Sequence, residues 1–135
     1  MILENYLEPY VFKNDMQRIK KPAIDLKLGM ERIGVYSKEK AMHALELLMT
    51  SLPQDLALLN NAKAKRDRMS MDQILHKLSG ALNYSSAPAL EKAVQDLQGI
   101  LKTDDPSAIS KGIQAIQEQT KLLKAAYYDL LMDDA

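Results

Sequence analysis

The chain has two imidazoles, His43 and His76, and no cysteine. His76 is the one whose setting suggests chemistry. It lies in Ser70-Met71-Asp72-Gln73-Ile74-Leu75-His76-Lys77-Leu78-Ser79-Gly80-Ala81-Leu82-Asn83-Tyr84. Wound as a helix at about 100° per residue, this stretch puts Met71, Ile74, Leu75, Leu78, Ala81 and Leu82 on one apolar stripe. His76 then falls roughly 160° from the centre of that stripe. Asp72, Ser79, Gly80 and Asn83 share its side at i−4, i+3, i+4 and i+7. An imidazole aimed at solvent, with no bulk one turn above it, is open to another macromolecule. It also offers a nitrogen lone pair at neutral pH, because its reference pKa is about 6.5. This suits a histidine that carries a group rather than one that packs. Lys77, and more loosely Lys63 or Lys65, could bring positive charge to an incoming phosphoryl group, whose transfer depends on positioning and charge neutralisation. A plain solvated surface histidine is the competing reading.

Other chemistries lack their parts. Two histidines without cysteine do not assemble a zinc site, so no metal of the chain's own is expected. There is no nucleophile elbow, no glycine-rich phosphate loop and no dinucleotide fingerprint. Any phosphate the chain handles must therefore arrive already activated. His43, beside Met42 and one turn from Glu46 and Leu47, reads as a packed or surface residue. Lysine plus arginine and aspartate plus glutamate balance at 18 each, which gives no basic excess for nucleic acid. No apolar run approaches the ~20 residues of a membrane span, and no signal-peptide pattern opens the chain. A cytoplasmic protein, or the cytosolic end of a larger membrane-bound one, is expected, without direct membrane contact.

The positioning elements read as helices throughout, with no clear period-two stretch. The 135 residues suffice for one core. Residues 1–20 form an N-terminal extension, linker or extra helix, interrupted by Pro9; Tyr6, Tyr10, Val11 and Phe12 make it apolar. Residues 21–135 form the bundle. Pro22 opens a segment with Ile24, Leu28 and Ile33 in register, ending near Gly34. Ser37 caps a helix carrying Ala41, Met42, Leu45, Leu48, Met49 and Leu52. The apolar spacing continues past Pro53, which favours one long helix there. Lys63, Lys65, Arg66 and Arg68 read as its basic exit.

Ser70 with Gln73 reads as a capping box for the His76 helix. Ser85 or Ser86 is placed to cap the next, running from Ala87 to about Lys102. Asp105 with Pro106 starts the last helix, which carries Ile109, Ile113, Ile116, Leu123, Tyr127, Leu130 and Leu131. The expected fold is all-α: an antiparallel, up-and-down four-helix bundle with an extra N-terminal segment or helix.

His76-Lys77-Leu78-Ser79-Gly80 resembles the His-x-Leu-Lys-Gly motif of histidine-containing phosphotransfer (HPt) domains. Tyr84-Ser85-Ser86-Ala87-Pro88-Ala89-Leu90 and the helix around Leu97 resemble the family's next turn and fourth helix. Pro22-Ala23-Ile24-Asp25 leading into Gly29-Met30-Glu31-Arg32-Ile33 resembles its opening helix. The similarity covers about residues 22–125. It is greatest to the C-terminal modules of BarA/GacS-type hybrid sensor histidine kinases, where a His-Lys-Leu-x-Gly core is typical.

The resemblance implies a phosphorelay intermediate of two-component signalling. His76 would accept a phosphoryl group from a receiver-domain aspartyl phosphate and pass it to a response-regulator aspartate. The partners implied are receiver domains of a hybrid sensor kinase and of a response regulator, met by a monomer. No cofactor is implied in the chain itself; Mg2+ would come from the receiver. Lys77, Ser79, Gly80, Asp72 and Asn83 would stabilise phosphate or dock the partner, Gly80 as the small residue giving access and Leu78 as the core-facing member. Ser79 stands where many members carry lysine, and Ser86 where glycine is common. The missing lysine leaves a second reading open: a helical adaptor that binds a kinase or receiver without carrying phosphate.

Overall fold

The computed structural model describes residues 21–133. The N-terminal extension, with Tyr6, Tyr10, Val11 and Phe12, lies outside the described residues. The regular elements are α1 (Leu26–Ile33), α2 (Lys38–Ala64), α3 (Arg68–Leu82), α4 (Pro88–Ile100) and α5 (Pro106–Asp133), with a 3-10 turn at Leu101–Thr103. Helix α3 packs between α2 and α4, and α5 closes the ring against α4 and α2. Short links between successive helices make the neighbours antiparallel. This is the expected four-helix bundle, and the short α1, lying on α2, precedes its four longer helices.

The core is almost wholly aliphatic. Leu45, Leu48, Leu52 and Leu59 of α2 meet Met71, Leu75, Leu78 and Leu82 of α3, Leu90, Val94 and Leu97 of α4, and Ile109, Ile113, Ile116 and Leu123 of α5. Pro53 sits inside α2 without ending it, so the single long helix is observed. Proline at that point forfeits one backbone hydrogen bond. Leu52 and Leu59 on either side of it are fully buried and hold the register. Ala81, expected on the α3 stripe, is instead exposed, and Ile74 only half-buried. The buried face of α3 is therefore narrower than the hydrophobic pattern.

Helix ends depart from expectation where a local competitor wins. Helix α1 begins at Leu26 rather than at Pro22, because the Asp25 carboxylate accepts the Leu28 N–H at 3.1 Å and the Pro22 carbonyl is taken by the Ala89 N–H at 3.2 Å. Ser37 caps α2 as expected, accepting from Lys40 N–H at 3.2 Å. The basic stretch is divided between two helices: α2 ends at Ala64, and Arg68 already belongs to α3. Arg66 takes a left-handed φ of 54°. The Arg66 and Asp67 amides return to the Lys63 and Ala62 carbonyls, the Schellman pattern in which glycine is more usual. Asp67, not Ser70, then caps α3. Its carboxylate accepts both the Ser70 N–H at 3.1 Å and the Ser70 hydroxyl at 2.7 Å. Ser85 and Ser86 do not cap α4 either. Ala87 holds the cap position without a side-chain bond, and the Ser85 hydroxyl points back, donating to the Leu82 carbonyl at 3.1 Å. The expected helix to Lys102 ends at Ile100 and tightens into the 3-10 turn. Asp105 starts α5 as expected, accepting from Ser107 N–H at 3.0 Å.

Candidate functional site

His76 lies on the middle of α3, exposed. Measured from the four buried residues Met71, Leu75, Leu78 and Leu82, it stands roughly 130° around the helix from the core direction. Among the described residues, no hydrogen bond or ion pair engages its imidazole. Asp72, Gly80 and Asn83 are exposed on the same side, while Ser79 turns part-way inward and is half-buried. A Cβ added to Gly80 would meet nothing within 4 Å. A side chain on a helix covers the turn N-terminal to its own Cα. The space over His76 and Lys77 is therefore kept clear by the absence of a side chain at Gly80.

The helix carrying His76 is clamped at both ends by arginines. At its C-terminal end, Arg32 of α1 donates to the Leu82 carbonyl at 3.0 Å and the Ser85 carbonyl at 3.3 Å. The same guanidinium pairs with the Glu91 carboxylate of α4 at 2.8 Å. The Leu82 carbonyl, at the end of α3, also accepts from the Ser85 N–H and hydroxyl, and the guanidinium adds a cation there that complements the helix dipole. At the other end, Arg68 donates to the Leu101 carbonyl at 2.7 Å and pairs with Asp104. The two clamps tie α3 to α1, α4 and the α4–α5 link, so the imidazole rides on a fixed support.

Helix α1 reaches that corner through a close approach. A Cβ at Gly29 would stand 1.7 Å from Ser86 Oγ and 2.9 Å from Ser86 Cβ. The Asp25 N–H donates to the Ser86 carbonyl at 2.8 Å alongside. The Ser86 side chain is thus accommodated by a glycine on the helix facing it.

Lys77 leaves the His76 side. Its ammonium reaches α2 and donates to Asp55 Oδ1 at 3.3 Å. A shallow groove of about 550 Å³ opens on the other flank, between α3 and the end of α4, lined by Arg68, Met69, Asp72, Gln98, Leu101 and Lys102. His43, exposed on α2, has Glu46 as its own neighbour at 3.5 Å. No group of three or more potential metal ligands gathers among the described residues.

A family model for the Hpt domain matches residues 43–129. The chain belongs to the Hpt domain family. Hpt domains act in the phosphorelays of two-component signalling, with receiver domains as the general kind of partner, and the chain shares that role. The match spans α2 to α5 and leaves α1 outside it. A crystal structure of the HPT domain from an Hpt sensor hybrid histidine kinase of Shewanella is similar in fold, at 20% sequence identity and a TM-score of 0.69. The alignment covers 82% of this chain and 95% of that one. No curated protein matches the chain.

Sequence reasoning missed Arg32, Glu91 and Asp55. The first two are partners over a long separation that no local pattern reveals. Asp55 did leave a signal: it occupies a core position in the run Leu48, Leu52, Asp55, Leu59, where an aliphatic residue would complete the stripe.

Proposed function

We propose that His76 is the phosphoryl acceptor and donor of this Hpt domain. A lone pair on an imidazole nitrogen attacks the phosphorus of a receiver's aspartyl phosphate. The P–N bond forms as the acyl P–O bond breaks, and the electron pair leaves with the aspartate carboxylate. A second receiver aspartate reverses the step and takes the group. The divalent cation that neutralises the phosphoryl oxygens belongs to the receiver's acidic site, and this chain supplies the nucleophile and the open face around it. The observation that carries the proposal is the unengaged, exposed imidazole beside the clear space at Gly80, on a helix fixed at both ends.

Asp72, Asn83 and Gly80 are the partner-facing surface around it, with Ser79 at its inner edge and Lys77 flanking it toward α2. The donor is proposed to be the receiver of a hybrid sensor kinase and the acceptor that of a response regulator. A cytoplasmic setting is part of the proposal; separately, no helix among the described residues is long and apolar enough to cross a membrane.

The test is phosphotransfer from a panel of phosphorylated receiver domains to the wild-type chain and to His76→Gln. Acid-labile, base-stable label on the wild type alone is the expected result. Stability should change by no more than about 0.5 kcal/mol, as for other exposed positions away from special contacts. Label retained in the variant would overturn the assignment. Receiver binding without label on the wild type would favour the non-phosphorylated adaptor.

A further inference from the structure

Asp55 is a buried carboxylate that the proposed transfer does not use. Its side chain is only 7% exposed, against 74% for Lys77. Lys77 is its one hydrogen-bond or ion-pair partner among the described residues. An aspartate at a core position weakens the apolar stripe it interrupts, and a position that breaks the local rule in this way is where a functional reason should be sought.

His76 and Lys77 are separated by about 100° on α3, so they flank opposite shoulders of its exposed crest, where Gln73 and Gly80 lie between them. The lysine stem is long and flexible enough to lean toward either side. Burial of Asp55 decides the direction. If the ammonium left, the carboxylate would stay largely out of water with its charge uncompensated, whereas the exposed ammonium would simply be rehydrated. The contact is a single one at 3.3 Å, longer than the roughly 2.7–2.9 Å of a strong charge-assisted bond. It can therefore be exchanged.

We propose that Asp55 is a positioning residue that holds the Lys77 ammonium on the α2 side of α3, so that Asp55 and the phosphoryl group on His76 compete for one cation. This rests on the reading of His76 as the phosphoryl carrier. In that competition the resting chain presents His76 without its nearest cation. The charge that neutralises the incoming group then comes from the receiver, and Lys77 engages the phosphoryl group only at the expense of Asp55.

The experiment charges His76 chemically with phosphoramidate, which needs no receiver, in a His43→Gln background so that the signal reports His76 alone. The phosphoryl group is then titrated by 31P NMR in the wild type, Asp55→Asn, Lys77→Gln and the double variant. An ammonium beside a phosphoryl dianion favours the dianion. Asp55→Asn should therefore lower the phosphoryl titration midpoint by roughly half a pH unit, the size expected for a partly exposed ion pair. Lys77→Gln should cancel that shift in the Asp55→Asn background and leave the wild type nearly unmoved. Asp55→Leu, which completes the apolar stripe, is the second variant and should shift the midpoint the same way.

In parallel, the Lys77 ammonium 15N chemical shift should report the Asp55 contact in the uncharged wild type and move to the value of a free lysine in Asp55→Asn. An unmoved midpoint in both Asp55 variants would overturn the inference. So would a Lys77→Gln effect as large in the wild type as in the Asp55→Asn background. No phosphate on any variant, with the Lys77 signal behaving as described, would instead overturn the His76 reading and remove the competition that depends on it.

Discussion

Gly80→Gln should make the protein more stable and worse at its job. Nothing lies within 4 Å of where the new Cβ would stand, so the substitution meets no steric penalty inside the chain. Replacing an exposed glycine in the last turn of α3 by glutamine should stabilise the helix by up to roughly 0.5 kcal/mol on helix propensity alone. At this size that corresponds to a rise in Tm of about 2 °C. The glutamine side chain will lie back over the turn that carries His76 and Lys77. A docking receiver must then displace it or tolerate an overpacked contact, at about 1–3 kcal/mol. Receiver-dependent transfer should fall roughly 5- to 150-fold.

Charging by phosphoramidate, a donor of a few atoms, should be much less affected. The assay pairs a thermal melt with initial rates from both donors. Gly80→Ala sets the scale: it should be the more stable variant, by about 1 kcal/mol, with the smaller loss of transfer. A Gln variant that melts higher and still accepts from the receiver at the wild-type rate would refute the access argument. Parallel loss with both donors would show that the imidazole itself had been perturbed.

Two further substitutions test the support of the site. Gly29→Ala forces a methyl group to within 1.7 Å of Ser86 Oγ, so it should cost roughly 1–3 kcal/mol of overpacking, less the helix-propensity gain of alanine. Ser86→Gly added to it should recover most of that loss, and denaturant melts of the single and double variants measure the coupling; an additive pair would show that the contact does not constrain α1. Asp67 governs the pH response of α3. The Ser70 hydroxyl, and secondarily the Ser70 backbone N–H, hold its carboxyl below the usual aspartate range. A depressed folded pKa stabilises the fold fully above the unfolded value of about 4 and loses that contribution as pH falls through the folded value. The thermal advantage of wild type over Asp67→Ala should thus be constant near neutrality and shrink below about pH 4; a gap that persists unchanged in acid would remove Asp67 from the cap.

The sequence by itself determined the helical period, the count of long helices and the exposed setting of His76 opposite a leucine stripe. These are local properties: 3.6-residue periodicity, proline and aspartate at helix starts, and a glycine one turn from the imidazole are written in adjacent residues. Helix ends were less legible, because several donors and acceptors compete within a few residues. Asp67 outdid Ser70 because the Schellman turn at Arg66 brought its carboxylate over the free amides of α3. Tertiary structure alone decided what fixes the site. Arg32 closes on carbonyls 50 and 53 residues away, and Glu91 joins them only because α1 and α4 meet at one corner. Asp55 becomes a buried anchor for Lys77 only because α2 and α3 pack antiparallel. Periodicity assigns a residue to a face of its own helix, but the charge waiting on the neighbouring helix is set by how the two helices dock.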